Sequence, residues 1–440
     1  MTKSAASPRL APDRLERLFD DAKPAYSYAE ARIEAERCLN CHDAPCVRHC
    51  PTEIDIPKFI GQIASGNTRG AATTIFEQNM LGASCARVCP VEEMCVGACV
   101  YQGFNGQPIA IGRLQRHATD EACADERATG RRLFTPAAPI GRKVALIGGG
   151  PASLACAAHL ALAGVQADIY ERDSVPGGLN TTGVAPYKMK CESSLDEAAW
   201  LLSHGAHLMT GVAVGTDISF ALLLDEYDAV FIGVGLAEVR TLEMDGPGVW
   251  TATDLIRAIK TEQGFALPPS VRRAVVIGGG NTAMDIAREL AMLGVEKVTV
   301  AFRRREAEMS AYAHEWAGAR SCGVVLRENL TPLAAVNRDG GLCAARFKET
   351  ESGREIELAC ELLALAVGQE VGMQAMKAGV RQNANGTVWV DPATRRTSLS
   401  RVYAGGDCIN GGREVVDAAA DGRIAANAML AEWSVEKGSG

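Results

Sequence analysis

Eight cysteines crowd one short stretch of the chain, in two groups. The first is Cys38-x2-Cys41-x4-Cys46-x3-Cys50-Pro51, and the second is Cys85-x3-Cys89-Pro90-x4-Cys95-x3-Cys99. Soft thiolates at such spacing suit iron–sulfur clusters or zinc. Zinc normally takes tidy Cys-x2-Cys pairs in both halves of its site, and only Cys38 and Cys41 form one. The two Cys-Pro junctions and the tight first run favour two 4Fe–4S clusters. Spacing alone would enlist all eight thiols. His42 and His49, inside the cluster, read as exposed or hydrogen-bonded histidines. The other seven of the 15 cysteines (Cys123, Cys156, Cys191, Cys322, Cys343, Cys360 and Cys408) are scattered singly and read as small buried hydrophobes.

Two glycine-rich turns supply a second kind of chemistry. The strand Val144–Ile147 runs into Gly148-x-Gly150-Pro151-Ala152-Ser153, which opens a helix. Gly148 allows the tight turn, Gly150 lets the backbone approach a pyrophosphate, and the helix N-terminus faces the negative charge. Ser153 replaces the third glycine of this fingerprint. Glu171 ends the next strand, 23 residues after Gly148, where a carboxylate accepts from a ribose hydroxyl. Asp407, in Ala404-Gly405-Gly406-Asp407, is similar to the flavoprotein loop that closes over a ribityl chain and pyrophosphate. Loop, acid and Gly-Gly-Asp together point to FAD. The second turn follows Val275–Ile277 and reads Gly278-x-Gly280-Asn281-Thr282-Ala283. Its next strand ends in Arg303-Arg304-Arg305, with no acid waiting for a free 2′-hydroxyl. Arginines favour a 2′-phosphate, so these residues lean to NADPH over NADH. Glu306 could instead turn in to serve NADH. Gly233-x-Gly235 and Ala366-Val367-Gly368 end strands and mark chain crossings between the two nucleotide units.

Elements of two kinds must position these groups. Residues 1–137 read mostly helical, with helices over Ser27–Arg37 and Ile56–Ser65, followed by a Gly/Pro-bearing linker at Thr135–Gly141. From Arg142 onward strands and helices alternate, the pattern of an α/β fold with parallel strands. KVALIGGGPAS followed by QADIYERD, and AVVIGGGNTAM followed by EKVTVAFRRR, are two copies of one βαβ unit. Arg401–Cys408 is a third strand-to-loop junction, with a helical segment from Glu414. The 440 residues allow two to four domains with ample core. A net charge of −8 argues against nucleic acid as the main partner. No uncharged apolar run reaches the ~18 residues of a membrane span, and the first residues hold no apolar leader segment. A cytoplasmic protein without a membrane partner is expected.

In RCLNCHDAPCVRHCPTEIDIPKFI, CARVCPVEEMCVGAC, PIAIGRLQ, GPASLACAAHLALAG, GGLNTTGVAPYK and AGGD the chain resembles the N-terminal half of dihydropyrimidine dehydrogenase. More closely it resembles the separate flavin subunit of the bacterial two-subunit enzyme, over roughly residues 25 to 430. A more distant likeness is to the small subunit of NADPH-dependent glutamate synthase. The resemblance implies a helical N-terminal Fe–S domain (1–137) followed by two Rossmann-like nucleotide-binding domains of the disulfide-oxidoreductase-like flavoprotein type. The FAD-binding domain would come in two parts, 138–241 and 369–440, around an NAD(P)H-binding domain at 242–368.

The same resemblance implies site residues. One cluster would use Cys38, Cys41, Cys46 and Cys99. The other would use Cys50, Cys89, Cys95 and the side chain of Gln115, leaving Cys85 unliganded. The glutamate synthase subunit carries a glutamate at the position of Gln115. A neutral amide in place of a thiolate changes the cluster's charge, one determinant of its potential. FAD contacts would come from Val88, Glu171, Gly178, Leu179, Lys188, Val214, Gly406, Asp407 and Val415. Ser153 is accounted for, because the family shares Gly-Pro-Ala-Ser. Lys188 stands where animal enzymes have an arginine. Contacts to the nicotinamide cofactor would come from Gly280–Thr282, Arg303, Arg304 and Ala366–Gly368. An arginine that grips the 2′-phosphate in the animal enzyme corresponds to Ser310, and the bacterial two-subunit enzyme is typically NAD-dependent. NADH and NADPH therefore both stay open.

The activity expected from this resemblance is electron input. NAD(P)H gives a hydride to FAD, which hands electrons singly to the two 4Fe–4S clusters. No side chain need act as acid or base in the hydride transfer itself. The Cys-bearing domain and two nucleotide domains leave no segment for a substrate domain. Pyrimidine reduction is expected on an FMN- and Fe–S-containing partner subunit, in a heterotetramer. Two other readings stand beside this one. The first is a reductase of the same type serving a glutamate synthase-like enzyme or a ferredoxin, against which Gln115 and the Gly-Pro-Ala-Ser turn weigh. The second is a zinc-stapled nucleotide-sensing module without turnover.

Overall fold

The computed structural model describes residues 10–438 except 105, 237, 240, 241, 243 and 373–378. The domain boundary expected at residue 241 lies outside the described residues. Helices α1 (Tyr28–Glu36), α2 (Pro45–Arg48), α3 (Ile56–Ala64), α4 (Thr68–Gln78), α5 (Gly82–Val88) and α6 (Ile111–Thr129) build the N-terminal part. Ser27 and Glu30 start α1 by exchanging side-chain and backbone hydrogen bonds, a capping box. α3 turns Ile56, Phe59, Ile60 and Ile63 inward, a spacing that keeps them on one helical face. α6 stops at Gly130, whose left-handed conformation closes the helix end.

Next come β1 (Lys143–Ile147), α7 (Pro151–Leu162), β2 (Gln166–Glu171), α8 (Leu179–Thr182), α9 (Cys191–Leu202), β3 (His207–Thr210), α10 (Phe220–Glu226) and β4 (Ala229–Ile232). The chain continues through β5 (Glu238–Val239), β6 (Val249–Thr251), α11 (Ala252–Thr261), β7 (Arg273–Ile277), α12 (Asn281–Met292), β8 (Lys297–Ala301), α13 (Ala313–Ser321) and β9 (Val325–Arg327). It ends with β10 (Leu330–Arg338), β11 (Gly341–Glu349), β12 (Glu355–Ala359), β13 (Leu362–Leu365), β14 (Gln369–Glu370), β15 (Val402–Ala404), α14 (Asp407–Asn410) and α15 (Val415–Gly438).

Two parallel sheets carry the α/β part, in the orders β15-β4-β1-β2-β3 and β6-β13-β7-β8-β9. Their inner strands are continuous apolar runs, as strands covered on both faces must be. β15 pairs directly with β4 although every strand of the second sheet lies between them in the sequence, so the chain leaves the first sheet after β4 and returns to finish it. Small residues make that return possible. α7 is rich in alanine, and α15 packs so closely on it that a side chain at Gly422 would meet the Ala152 carbonyl. The two βαβ copies read from the sequence are β1-α7-β2 and β7-α12-β8.

One feature departs from strand–helix alternation. β10, β11 and β12 form an antiparallel sheet of their own, and β5 pairs antiparallel with β14. β10 and β11 are joined by Asp339-Gly340, both at positive φ (51° and 81°), the backbone of a tight hairpin turn. That Asp-Gly pair is a local hairpin signal which the coarse alternation passes over.

The core is continuous between the helical part and the first sheet. Phe76 of α4 packs on Trp200 of α9 with ring centroids 4.3 Å apart. An N-terminal strap ties that sheet's helices to the second unit. Phe19 enters the second unit's core, Gly264 donates to the Asp13 carbonyl, and Lys190 donates to the Phe19 carbonyl at 2.6 Å. Arg14 is buried, donates to the Lys260 carbonyl at 2.7 Å, and pairs with Glu16 and Glu192. The Glu16 side chain is fully buried. Replacing Arg14 by Met leaves that carboxylate without its cation. Breaking a buried pair from one side costs about 3–5 kcal/mol. Urea denaturation of Arg14→Met is expected to show a loss of that order, and a change within experimental scatter contradicts this account of the strap.

Candidate functional site

A cavity of about 930 Å³ runs along the C-terminal edge of the first sheet. Val88, Gly148, Gly150, Pro151, Ala152, Glu171, Gly178, Leu179, Lys188, Val214, Gly406, Asp407 and Val415, all expected from the sequence, line it. They converge because the turns after β1, β2, β4 and β15 lie side by side at one edge of a parallel sheet, where such folds bind ligands. Ser153 differs. It lies behind the wall, fully buried against Gly233, and makes a packing contact with that crossing.

The cavity has the donors and shape that a dinucleotide requires. Gly148 has φ 92°, and a side chain there would sit 2.6 Å from the Gly233 carbonyl oxygen, so only glycine lets the turn press onto the crossing strand. α7 has no side-chain cap, and its first residues face the cavity, leaving its N-terminal amides for an anion. The Glu171 carboxylate accepts from Gly149 N at 2.5 Å and Asp173 N at 2.7 Å, which fixes its orientation. Burial raises its pKa, and those two amides pull it back. Asp407 is also raised by burial, and it accepts from Arg413 N at 3.1 Å.

The opposite wall comes from the second unit. Asn281, Asp285, Tyr312 and Glu315 face the same cavity. Lys188 is bound to Asp285 at 2.7 Å and Glu315 at 2.6 Å. Burial alone would lower its pKa, but the two carboxylates outweigh it and hold the ammonium up to about 12. Tyr312 donates to Glu414 at 2.9 Å, closing the wall between the units. Sequence reasoning missed Asp285, Glu315, Tyr312 and Glu414. Asp285 had a signal: it stands four residues after Asn281 on the same helix, hence on the same face.

The second glycine turn repeats the first. A side chain at Gly278 would lie 2.4 Å from the Ala366 carbonyl oxygen, and Gly280 precedes α12 without a side-chain cap. Gly278, Gly280, Thr282, Ala283, Arg303, Arg304, Ala366, Val367 and Gly368 lie outside the cavity wall. They gather where adjacent strands β13, β7 and β8 end. Arg303 and Arg304 are exposed, with Arg304 near Glu308 at 3.8 Å. Glu306 accepts from Trp316 Nε1 at 2.8 Å.

Cys38, Cys41, Cys46 and Cys99 line a small pocket of about 30 Å³ walled by Ile56, Ile60, Ile109 and Ile111. Cys50, Cys89 and Cys95 form a neighbouring group, with Cys85 beside Cys89. Burial pushes the Cys46 thiol up to about 11 and the Cys95 thiol up to about 12, so a metal centre there must displace protons. Among the described residues no group of three or more His, Cys, Asp or Glu side chains is placed to hold a single metal ion. Gln115 is buried and donates to the Gly82 carbonyl at 2.7 Å, facing the helix that carries Cys85. Cys85 in turn accepts from Asn79 Nδ2 at 3.2 Å. His42 is exposed, and His49 is hydrogen-bonded to the Pro45 carbonyl. Of the seven scattered cysteines, Cys156, Cys191, Cys360 and Cys408 are buried, whereas Cys123, Cys322 and Cys343 are half-buried. Among the described residues no helix is long and apolar enough to cross a membrane.

Residues 14–127 match the family described as dihydropyrimidine dehydrogenase domain II, 4Fe-4S cluster, and residues 142–422 match the pyridine nucleotide-disulphide oxidoreductases. The chain belongs to the pyridine nucleotide-disulphide oxidoreductase family, joined here to a 4Fe–4S domain, and is an NAD(P)H-dependent flavin and iron–sulfur oxidoreductase. It is 36% identical, over 93% of its length and 96% of the relative's, to the NAD-dependent dihydropyrimidine dehydrogenase subunit PreT of Escherichia coli (strain K12). It is 32% identical, over 94% of its length and 93% of the relative's, to the glutamate synthase (NADPH) small chain of the same organism. Thioredoxin reductase of Lactococcus lactis aligns in structure with a TM-score of 0.56 at 22% identity, over 67% of this chain and 99% of that one, a likeness of fold.

One buried carboxylate ties the start of α5 to α9. Glu197 of α9 accepts from Ala83 N at 2.8 Å, from Ser84 N at 3.1 Å and from the Ser84 hydroxyl, all in the first turn of α5. Burial pushes its carboxyl up to about 7, against the pull of Ser84, Ala83 and Arg87. The folded chain thus keeps a proton that the unfolded chain releases near the ordinary value of 4.5. This group's contribution to stability is full below that value and is lost as pH rises through about 7. The loss is of order 3 kcal/mol. Denaturation at pH 5 and pH 8 is expected to show wild type losing more stability over this interval than Glu197→Gln; parallel losses would contradict the assignment.

Proposed function

We propose that the chain is the electron-input subunit of a two-subunit dihydropyrimidine dehydrogenase, oxidising NADH at FAD and passing electrons through two 4Fe–4S clusters. The partner would be an FMN- and Fe–S-containing subunit that reduces uracil or thymine to the 5,6-dihydropyrimidine. The observation that carries this reading is that Val88, next to Cys89, lines the same cavity as the Gly148 turn, Glu171 and Lys188. The relatives named as NAD-dependent dihydropyrimidine dehydrogenase subunits support the substrate class and the choice of NADH.

Gly148, Gly150 and the α7 amides would hold the FAD pyrophosphate, and Glu171 would hold its adenosine ribose. Val88, Gly178, Leu179, Lys188, Val214, Asp407 and Val415 would hold the rest. The turn at Gly278–Thr282, with Ala366–Gly368 and the Arg303-Arg304 pair, would hold the nicotinamide cofactor. Cys38, Cys41, Cys46 and Cys99 would hold one cluster, and Cys50, Cys89, Cys95 and Gln115 the other. When bound, a flavin supplies the conversion between two-electron and one-electron chemistry. The chain's own task is to orient both dinucleotides and to keep water from the space between Lys188, Tyr312 and Glu414. That β15 completes the first sheet supports a division into a flavin unit of two parts around a nicotinamide unit.

Two experiments test the reading. Gly148→Ala is expected to be purified without flavin, whereas Gly278→Ala keeps flavin but is reduced by NADH at least ~10-fold more slowly, as loss of a close backbone contact demands. Loss of flavin from both variants contradicts the assignment of the two turns. Anaerobically purified wild type should contain FAD and iron for two clusters. Cys46→Ser or Cys95→Ser should each remove about half of the iron, and Cys85→Ser none. NADH, assayed beside NADPH, should bleach flavin and Fe–S absorbance, with uracil reduced only when the partner is added. Zinc without iron, or uracil reduction by this chain alone, overturns the proposal.

A further inference from the structure

The hydride that a nicotinamide cofactor gives up amounts to two electrons and one proton. In a flavin and iron–sulfur oxidoreductase the electrons leave singly through the clusters, and the proton stays behind. Each turnover has to export that proton from a cavity partly shut off from water. A row of side chains leads outward from the cavity wall. His314, in the first turn of α13, has its Nε2 3.5 Å from Glu315 Oε1, and Glu315 lines the cavity. The same Nε2 lies 3.8 Å from Glu92 Oε2, and Nδ1 lies 3.6 Å from Glu93 Oε1. Glu92 and Glu93 belong to the segment between Cys89 and Cys95, so the row ends beside the cysteine-bearing part. Side-chain exposure rises along it, from 12% at Glu315 to 28% at His314, 44% at Glu92 and 45% at Glu93. The row therefore runs from the buried wall to solvent.

The imidazole at its centre is fixed in place by its faces. The Tyr312 ring stacks on it, with centroids 5.7 Å apart and planes 11° from parallel, and Tyr312 is itself held by its bond to Glu414. His314 Nδ1 is buried and has no hydrogen-bond partner, so no structural bond occupies that atom. A buried polar atom left unpaired calls for a role. The charges around the ring are Glu92 and Glu93 from the cysteine segment, Lys23 of the strap near Glu92 at 3.8 Å, Glu315 with its partner Lys188, and Glu414 beyond Tyr312. Among the described residues no such group is placed to hold a metal ion, so this one is not a cation site. We propose that His314 carries the proton of the reaction from the cavity to solvent, and the inference rests on the flavin reading of that cavity. Nε2 takes the proton on the Glu315 side, and the ring gives one up where Glu92 and Glu93 open on water, an exchange that imidazole makes readily near neutral pH. The balance closes: one NADH and two oxidised clusters give NAD+, two reduced clusters and the one proton that leaves through His314.

The test uses the full chain loaded with flavin and iron, as wild type, His314→Gln and His314→Ala. Flavin and iron content are measured first: wild type without flavin overturns the cofactor reading itself, whereas the outcomes below bear on loaded protein and on this inference alone. Two half-reactions are followed separately by anaerobic stopped flow. In the first, oxidised chain meets NADH, and loss of flavin colour reports hydride transfer. In the second, chain reduced by NADH meets ferricyanide, a one-electron acceptor, in dilute buffer with a pH indicator. The return of flavin colour and the appearance of the proton are then recorded together. His314→Gln and His314→Ala are expected to leave the first half-reaction unchanged and to slow the second, with its proton, at least ~10-fold, at the low end of what a positioned acid–base group contributes. Added imidazole is expected to restore His314→Ala, and the slowed phase is expected to show a solvent isotope effect in heavy water. A purely structural role slows both half-reactions and is not relieved by imidazole. An unchanged second half-reaction, or a slowing that imidazole leaves in place, overturns the inference. Should neither His314 variant retain flavin, the double variant Glu92→Gln, Glu93→Gln at the exposed end decides. It is expected to slow the second half-reaction alone, and no change there overturns the inference as well.

Discussion

The Glu197 carboxylate takes three hydrogen bonds from the first turn of α5, and the placement of the cysteines relative to the cavity depends on that contact. α5 is seven residues long and has no side-chain cap of its own. Its first amides are buried and would be orphan donors without an acceptor brought from elsewhere. Glu197 arrives from α9, in the unit of the first sheet, and closes them. Gln115 holds the same turn from the other side, through the Gly82 carbonyl. The helix then carries Val88 to the cavity wall and Cys89 just past its end. A movement of α5 would displace both together, so the cavity wall and the second cysteine group are set by one element.

A different physics joins the two nucleotide units. Their contacts across the cavity are charged and polar: Lys188 with Asp285 and Glu315, Tyr312 with Glu414, and Arg257 with Asp173. Buried Lys260 donates to the carbonyls of Asn180, Val184 and Met189, which anchors α11 to the loop around α8. The N-terminal strap crosses the same seam through Arg14. Directional bonds of this kind fix an orientation more sharply than apolar contact, because each is lost by a small displacement.

The parts legible in the sequence were those built by short, local spacing. Gly148, Gly150 and Glu171 lie on one strand-turn-helix-strand unit, and Gly278, Gly280 and Arg303 on its copy. The Cys run was legible for the same reason, as was the division into helical and alternating regions. The antiparallel sheet was missed although its Asp339-Gly340 turn is local, because a coarse reading of alternation does not weigh individual turns. Ser153 stands in the motif, and only the fold shows that its side chain is buried against Gly233.

By itself, then, the sequence determined the two dinucleotide turns, the thiol-rich segment and the strand-helix order, since each depends on residues within a few turns of one another. The expectation that Gln115 is a cluster ligand rests on family resemblance and not on spacing. Only the tertiary structure decided that Val88 would share a cavity with Glu171, that Glu197 would cap a helix more than a hundred residues earlier, and that Asp285 and Glu315 would hold Lys188. Those pairings join groups far apart in the chain. Their free energy comes from burying a charge together with its partner, a term that exists only once both have been brought out of water.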